Sequence, residues 1–427
     1  MIKTNNFKAP AIQEIGNIHL PPPRILTLDN GIPVFVFQGA KNDILCVELL
    51  FNSGRWTEPS PLTAGSCGRL IKSGTIQKTS FELSEEIDFF GSTIKAGAGY
   101  NTFSLQLFTL HRFFNESFPL FQECLFDIIF PDAEIELYKS NALSKHKVEM
   151  EKNDYVADMA FKKAIFGDHH PYGYETSEQR ILAISKTDIV TFYQNELRID
   201  NCAIFISGNV LNTHIKALND SFGTKQWNKS TVGLPVSFPT HVETIPQQLH
   251  LQKKNSVQCS IVIGKPLFNM SHEDYPEFLL MNTIFGGYFG SRLMSNIREE
   301  KGYTYGIYSG LQSLKFGGVY SIQTETGLEH KNNCLSEIYM EMQRMQDEKV
   351  SKRELTLARN YLLGKFMGRT DGAFNQVEQF KKYYVEGKNV DLFDIIIEKV
   401  RNCTADRIRE LAAKYLIKEN FSEIIIG

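Results

Sequence analysis

The sequence predicts an α+β protein made of two related domains, and three observations carry that expectation. A chain of 427 residues is too long for one hydrophobic core, so two or more domains are expected. Strand-length apolar runs and amphipathic helical segments are interspersed in both halves. The halves also end alike. Thr187, Asp188, Ile189, Tyr193, Asn201 and Ala203-Ile-Phe-Ile-Ser-Gly208 are echoed by Thr404, Asp406, Ile408, Tyr415, Asn420 and Ile424-Ile-Ile-Gly427. Each is a helix feeding a buried strand that closes on glycine. An internal duplication accounts for this, with a period near half the chain and therefore of domain size. Each domain is expected to be a mostly antiparallel sheet with helices packed on one face.

Taken in order, residues 1–23 end in His19-Leu-Pro-Pro-Pro23, an extended arm that cannot be helical. Asp29-Asn30-Gly31 between the apolar runs 24–28 and 32–37 predicts a hairpin with a tight type I′ turn. A third strand follows at 45–51. Residues 79–90 form a helix with a capping box, Thr79 with Glu82, ended by Gly91. A strand pair occupies 92–108. Its Gly97-Ala-Gly99 superficially matches a dinucleotide fingerprint, but the third glycine and the following helix are missing. Helical segments fill 113–166, a loop covers Phe166–Gly173, and 189–197 is a helix before the strand 202–207. Residues 225–248 are polar, carry Pro235, Pro239 and Pro246, and read as a linker. Beyond it come strands at 259–264 and 318–324 and helices at 331–347, 351–369 and 373–386. A second capping box pairs Ser351 with Glu354. The expected division is an arm at 1–23, a first domain at 24–224, a linker at 225–248 and a second domain at 249–427.

Composition excludes several classes. With 46 Lys plus Arg against 49 Asp plus Glu, the net charge of −3 leaves no footprint for nucleic acid or an anionic membrane. No apolar run is long enough to span a bilayer. The first residues, Met1-Ile-Lys-Thr-Asn-Asn-Phe-Lys8, lack the apolar core of a secretory signal. Seven scattered cysteines without a Cys-x-x-Cys pair indicate neither a disulfide framework nor a cysteine zinc site. A reduced, cytoplasmic protein is expected.

The stretch most rich in chemistry runs from Phe285 to Tyr308. Apolar Phe278, Leu279, Leu280, Ile284 and Phe285 lead in, and Gly286, Gly287 and Gly290 permit unusual backbone. Leu293 and Ile297 mark a second helix, Gly302 its C-cap, and Tyr303, Tyr305 and Ile307 the start of a strand. On composition alone this is a packed αβ corner, with Arg298 a helix-end charge and Tyr305 strand packing.

Read as a phrase, Gly-Gly-x-Phe-x-Ser-Arg-Leu followed by Ile-Arg-Glu-x-x-Gly-x-x-Tyr resembles the second-domain signature of the pitrilysin/insulinase metallopeptidase family, which includes the mitochondrial processing peptidase. Leu28-Asp-Asn-Gly31, Phe166–Gly173 and Arg198-x-x-Asn201 are similar to its first-domain phrases, so the resemblance covers nearly all of the chain after residue 24. It implies the LuxS/mitochondrial processing peptidase-like metallohydrolase fold. It also implies that Arg298 and Tyr305, seven positions apart, assist catalysis by holding substrate and its reacting carbonyl, with Gly286, Gly287 and Gly290 admitting the substrate strand.

Active members carry His-x-x-Glu-His, two zinc ligands and a general base on one helix face. Aligned through Gly54-Arg55, Glu58 and Ser73-Gly74-Thr75, this chain places Gly65, Gly68 and Arg69 there. Glycine offers no ligand and arginine repels a cation. His146 and Glu149 share a helix face and read as solvated charge, and the adjacent pair His169 and His170 belongs to a family loop phrase. Cys67 lacks a neighbouring base and reads as structural. No metal or cofactor site is therefore expected in this chain.

The resemblance implies a non-catalytic, substrate-binding subunit of a heterodimeric peptidase, with zinc in a homologous partner subunit and a peptide as substrate. A homodimer is possible for the chain alone. The alternative is a catalytically dead scaffold or peptide-binding homologue with no peptidase role.

Overall fold

The computed structural model describes residues 15–39, 43–224, 227 and 245–427. Most of the predicted linker and the first 14 residues of the predicted arm lie outside the described residues.

Strands β1 (Arg24–Thr27), β2 (Pro33–Gln38), β3 (Ile44–Phe51), β4 (Thr93–Ala98), β5 (Phe103–Leu110) and β6 (Cys202–Gly208) form one sheet in the order β1-β2-β6-β3-β5-β4. Strands β7 (Gln248–Leu251), β8 (Gln258–Leu267), β9 (Thr304–Leu314), β10 (Gly317–Gly327) and β11 (Ser422–Ile426) form the second, ordered β7-β11-β8-β10-β9. Without β1 the two orders are the same. The directions match as well: β2 runs parallel to β6 and β7 to β11, and every other neighbour pair is antiparallel. The echo between the chain's two endings thus extends to the whole sheet topology.

Local sequence explains the elements. Thr79 accepts from the Glu82 amide and the Glu82 carboxylate reaches back to Thr79, which starts the helix Ser80–Phe89 as the capping box requires. Ser351 likewise accepts from the amide of Glu354 and starts the helix Lys352–Gly368. Here the second half of the predicted box is missing, because the Glu354 carboxylate is turned away to grip Arg292 through two hydrogen bonds of 2.8 and 3.1 Å. The first hairpin also departs from expectation. Only Gly31 takes a positive φ, the Gly31 amide donates to the Leu28 carbonyl, and the Leu28 amide donates to Ile32. This is a three-residue loop ended by a glycine bulge rather than a type I′ turn.

Each half has its own core on one face of its sheet. In the first, Val47, Leu49, Leu105, Ile204 and Ile206 meet Ala64, Cys67, Phe118, Phe121 and Phe192. In the second, Ile261, Ile263, Ile307 and Ile322 meet Phe278, Ile297, Ile338, Ile408 and Leu411. Ile18 and Leu20, next to the first half in sequence, are buried in the second core.

The opposite faces add something the sequence reading did not contain. Helix Asn153–Phe166, from the first half, lays Ala157, Phe161, Ala164 and Ile165 on Val262, Val319, Ile424 and Ile426 of the second sheet. Helix Gly372–Val385, from the second half, lays Ala373 and Val377 on Phe35, Phe37, Leu50 and Phe205 of the first. The Phe35 ring sits 5.0 Å from both Phe205 and Tyr384 and 5.2 Å from Phe380. The buried Glu48 carboxylate accepts from Lys381 at 2.7 and 3.0 Å, so an ion pair joins the halves under this helix. The Trp56 and Phe316 rings meet across the same divide, tilted by 39° with centroids 4.4 Å apart. Such reciprocal exchange leaves each sheet covered on its second face by the other half, where one covered face per sheet was expected.

Candidate functional site

The helix Thr63–Leu70 carries the three positions aligned with a zinc motif. Glu58 holds its N-terminus, accepting from the Ala64 amide at 2.9 Å and from the Tyr174 hydroxyl at 2.6 Å. Burial pushes the Glu58 carboxyl up to about 7 against these bonds and the charge of Arg55. Gly65 and Arg69 are exposed, and a side chain at Gly65 would meet open space. Gly68 is different. Its Cβ position lies 2.9 Å from the Gly97 Cα and 3.2 Å from the Gly97 nitrogen, so helix and edge strand β4 pack backbone to backbone. A glutamate could not occupy position 68 without displacing β4. The residues at 65 and 69 do not fit zinc, the space at 68 does not admit the glutamate base, and among the described residues no three His, Cys, Asp or Glu are grouped as a metal would need.

His146 is buried with its Nδ1 unpartnered, which corrects the expectation that it is solvated; Glu149 pairs with Lys152 at 3.0 Å. His170 is buried and accepts at Nδ1 from the Tyr172 amide, consistent with a loop role. All seven cysteines are free and buried, and burial alone pushes the Cys67 thiol far above its ordinary range.

In the second half, Arg298 lies in the last turn of a wide, π-type helical segment, Met294–Glu300. Gly302 follows with φ +67°, donating its amide to the Arg298 carbonyl, and terminates it. The chain then enters β9, the edge of the sheet. Thr304 pairs with Thr326 and Ile307 with Thr324, so Tyr305 and Gly306 together oppose the single residue Glu325. This is a β-bulge, a device that re-aims side chains. Threonine hydroxyls fix it: Thr304 donates to the Glu325 carbonyl at 2.6 Å, and Thr324 donates to the Gly306 carbonyl at 2.9 Å.

The bulge leaves Tyr305 91% exposed, against the alternation that buries Ile307 and Ser309. Its ring borders a cleft of about 270 Å³ whose other wall includes Asp154 and Asp158 of the exchanged helix. The Arg298 guanidinium lies 4.7 Å from the centre of the Phe289 ring, itself more than half exposed. Among the described residues, neither the Arg298 guanidinium nor the Tyr305 hydroxyl hydrogen-bonds to the protein. Tyr305 on the edge strand is exposed, and Arg298 on the preceding helical segment is half-buried against Phe289. Phe289 was not singled out in the sequence; its position between Gly287 and Gly290 in the exposed turn was the available signal.

Gly286, Gly287 and Gly290 do not take left-handed backbone, which corrects the reason given for them. What matters is their missing side chain. A Cβ at Gly286 would collide with the Ser309 hydroxyl, one at Gly287 would lie 3.1 Å from the Asn282 carbonyl oxygen, and one at Gly290 would lie 2.9 Å from the Tyr288 ring. Asn282 and Ser309 hydrogen-bond twice, which ties this turn to β9. Gly287 borders a second, larger cavity between the halves, so glycine turn and Tyr305 face different spaces.

A family model described as the M16 peptidase inactive domain matches residues 183–362, which contain the whole glycine–arginine–tyrosine stretch. Over these residues the chain is similar to the M16 peptidase family. Proteins similar to it include the uncharacterized zinc protease YmxG of Bacillus subtilis, 22% identical over 83% of this chain and 85% of that protein. Another is the non-peptidase homolog YmxG of Helicobacter pylori, 20% identical over 64% of this chain and 65% of that one. The M16 inactive-domain structure from Pseudomonas fluorescens superposes with a TM-score of 0.85 at 19% identity, covering 95% of this chain and 98% of its own. That likeness establishes the M16 fold. Among the described residues, no helix is long and apolar enough to cross a membrane.

Proposed function

We propose that this chain is the non-catalytic, substrate-binding subunit of a cytoplasmic heterodimeric zinc metallopeptidase, supplying Arg298 and Tyr305 to a partner's zinc site. The observation that carries the reading is Tyr305 held out on a bulge, with Arg298 seven residues before it and neither group bonded within the chain. A solvent-directed phenol on an edge strand is poor packing but a sound hydrogen-bond donor. Tyr305 donates its hydroxyl to the scissile carbonyl as negative charge develops there, an oxyanion-hole role. Arg298, braced on Phe289, binds peptide carbonyls by charge-assisted hydrogen bonds. The free edge of β9 receives extended peptide by main-chain pairing. Glycine and arginine at the ligand positions 65 and 69, with no room for a glutamate at 68, support assigning zinc to the partner, and the free buried cysteines support a reducing compartment.

The test is reconstitution with an M16 chain that carries an intact His-x-x-Glu-His motif. Tyr305→Phe is expected to lower kcat roughly tenfold to a thousandfold without dissociating the complex. Unchanged turnover would leave Tyr305 with no part in catalysis. A second reading, a scaffold without peptidase chemistry, is favoured by the non-peptidase description of the Helicobacter relative. It is the reading to adopt if no zinc-bearing partner forms a complex.

A further inference from the structure

A cavity of about 780 Å³ lies between the halves and is walled by the first sheet and by helices Tyr275–Asn282, Lys352–Gly368 and Gly372–Val385. Its charges are unbalanced. Lys315, Lys365, Arg369, Lys381 and Lys382 line it against Glu48, Glu378 and Glu386. Two of those carboxylates are already used, because Lys381 binds Glu48 at 2.7 Å and Glu378 at 2.6 Å. The third, Glu386, accepts from Ser313 at 3.0 Å, and its carboxyl is raised by burial towards the neutral form. Lys315 lies over Phe316.

Lys365, Arg369 and Lys382 are left. Among the described residues none of them forms an ion pair. Lys365 and Arg369 are four apart on one helix face, a repulsive like-charge spacing. Lys382 joins them from the next helix. Burial and the Arg369 charge hold the ammonium groups of Lys365 and Lys382 below their usual range, and Lys365 adds to the effect on Lys382. The three side chains remain accessible to water while two halves of the protein surround them. Phenol groups complete the wall. Tyr383 accepts from Gln379 and keeps its own proton to donate, and Tyr275 lies close enough to Arg369 for that charge to act on its hydroxyl.

We propose that this cavity is a binding site for a small phosphorylated molecule, whose phosphoryl oxygens are held by Lys365, Arg369 and Lys382. Three cations and two phenols converging from separate helices suit a group with two or more negative charges and tetrahedrally disposed oxygens. A carboxylate brings one charge and two oxygens in a plane and leaves part of the repulsion unrelieved. The volume is that of an organic ligand rather than a bare ion. The proposal does not depend on peptide hydrolysis, since Arg298 and Tyr305 are not in this cavity.

The test uses the full chain and pyrophosphate, titrated by calorimetry at constant ionic strength, with thermal unfolding in parallel. Saturable binding with one site per chain and a rise in Tm is expected. Arg369→Gln weakens binding about tenfold or more, and Lys365→Gln acts in the same direction. Arg353→Gln, an exposed cation of the same helix outside the cavity, leaves it unchanged. Absence of saturable binding, or equal weakening by Arg353→Gln and Arg369→Gln, overturns the proposal.

Discussion

The closed contact beneath the degenerate motif makes a prediction about sign. Gly65 and Gly68 lie three residues apart in one helix, and each can be changed to alanine. At Gly65 the new methyl meets nothing within 4 Å. Alanine is the better helix former there and removes backbone freedom from the unfolded chain, so Gly65→Ala stabilises by a few tenths to about 1 kcal/mol. At Gly68 the same gain is offset by a methyl 2.9 Å from the Gly97 Cα and 3.4 Å from its carbonyl carbon. Backbone atoms of a paired strand cannot rotate aside, and overpacking of this kind costs about 1–3 kcal/mol. Gly68→Ala is therefore net destabilising by about 1 kcal/mol, with the two variants differing by about 1.5–2 kcal/mol in opposite directions from wild type. Urea denaturation of both, followed by far-UV circular dichroism, reads the difference directly. If Gly68→Ala proves as stable as Gly65→Ala, the contact is slack, space for a glutamate exists, and the argument that the site has closed fails.

Other expectations concern ionisation and the braced arginine. The Glu58 carboxyl titrates near 7 when folded and near 4.5 when unfolded, so the unfolded chain releases its proton first as pH rises. Stability is therefore lost between these values, by at most about 3 kcal/mol. Tm for Glu58→Gln should match wild type near pH 4.5 and exceed it by pH 7.5; a gap independent of pH would refute the assignment. Asp274 shows the opposite sign. Burial opposes its charge, yet hydrogen bonds from Lys414 at 2.8 Å and Tyr415 at 2.5 Å, with the Arg407 charge, hold its carboxyl down to about 2. Its contribution is full above the unfolded value near 3.9 and is lost as pH falls through 2, so Asp274→Asn costs about 2 kcal/mol at neutral pH. Denaturation of that variant at pH 7 and pH 2.5 should show the penalty shrinking with acid. Phe289→Ala removes the ring under Arg298, an interaction worth about 0.5–1 kcal/mol at an exposed site. In the reconstituted complex it should raise KM severalfold with little change in kcat.

Features encoded within a few residues were legible in the sequence. The capping box at Thr79 and Glu82, the positive-φ glycines at 31, 91 and 302, and the paired endings at 208 and 427 were all read from local pattern. Features that depend on a distant partner were not. The Ser351 box lost its second bond because Arg292, far back in the chain, competes for Glu354. The bulge at Tyr305 is a property of register against β10, and nothing in Thr304-Tyr305-Gly306 alone announces it. Val377 and Ala373 form an ordinary apolar helix face that does not say whose sheet it covers. The burial of His146 was invisible for the same reason. At the site, spacing singled out Arg298 and Tyr305 but not the Phe289 ring beneath the guanidinium.

The trading of one helix for another across the divide has a mechanical outcome. Prying the two repeats apart would uncover Phe35, Phe37 and Phe205 on one side and Val262, Val319 and Ile424 on the other, while stranding Glu48 without its cation. Opening at that seam would therefore expose two apolar sheet faces and an unpaired buried carboxylate. On the proposed heterodimer reading, a gate for polypeptide would therefore lie between this chain and its partner rather than between its own two repeats.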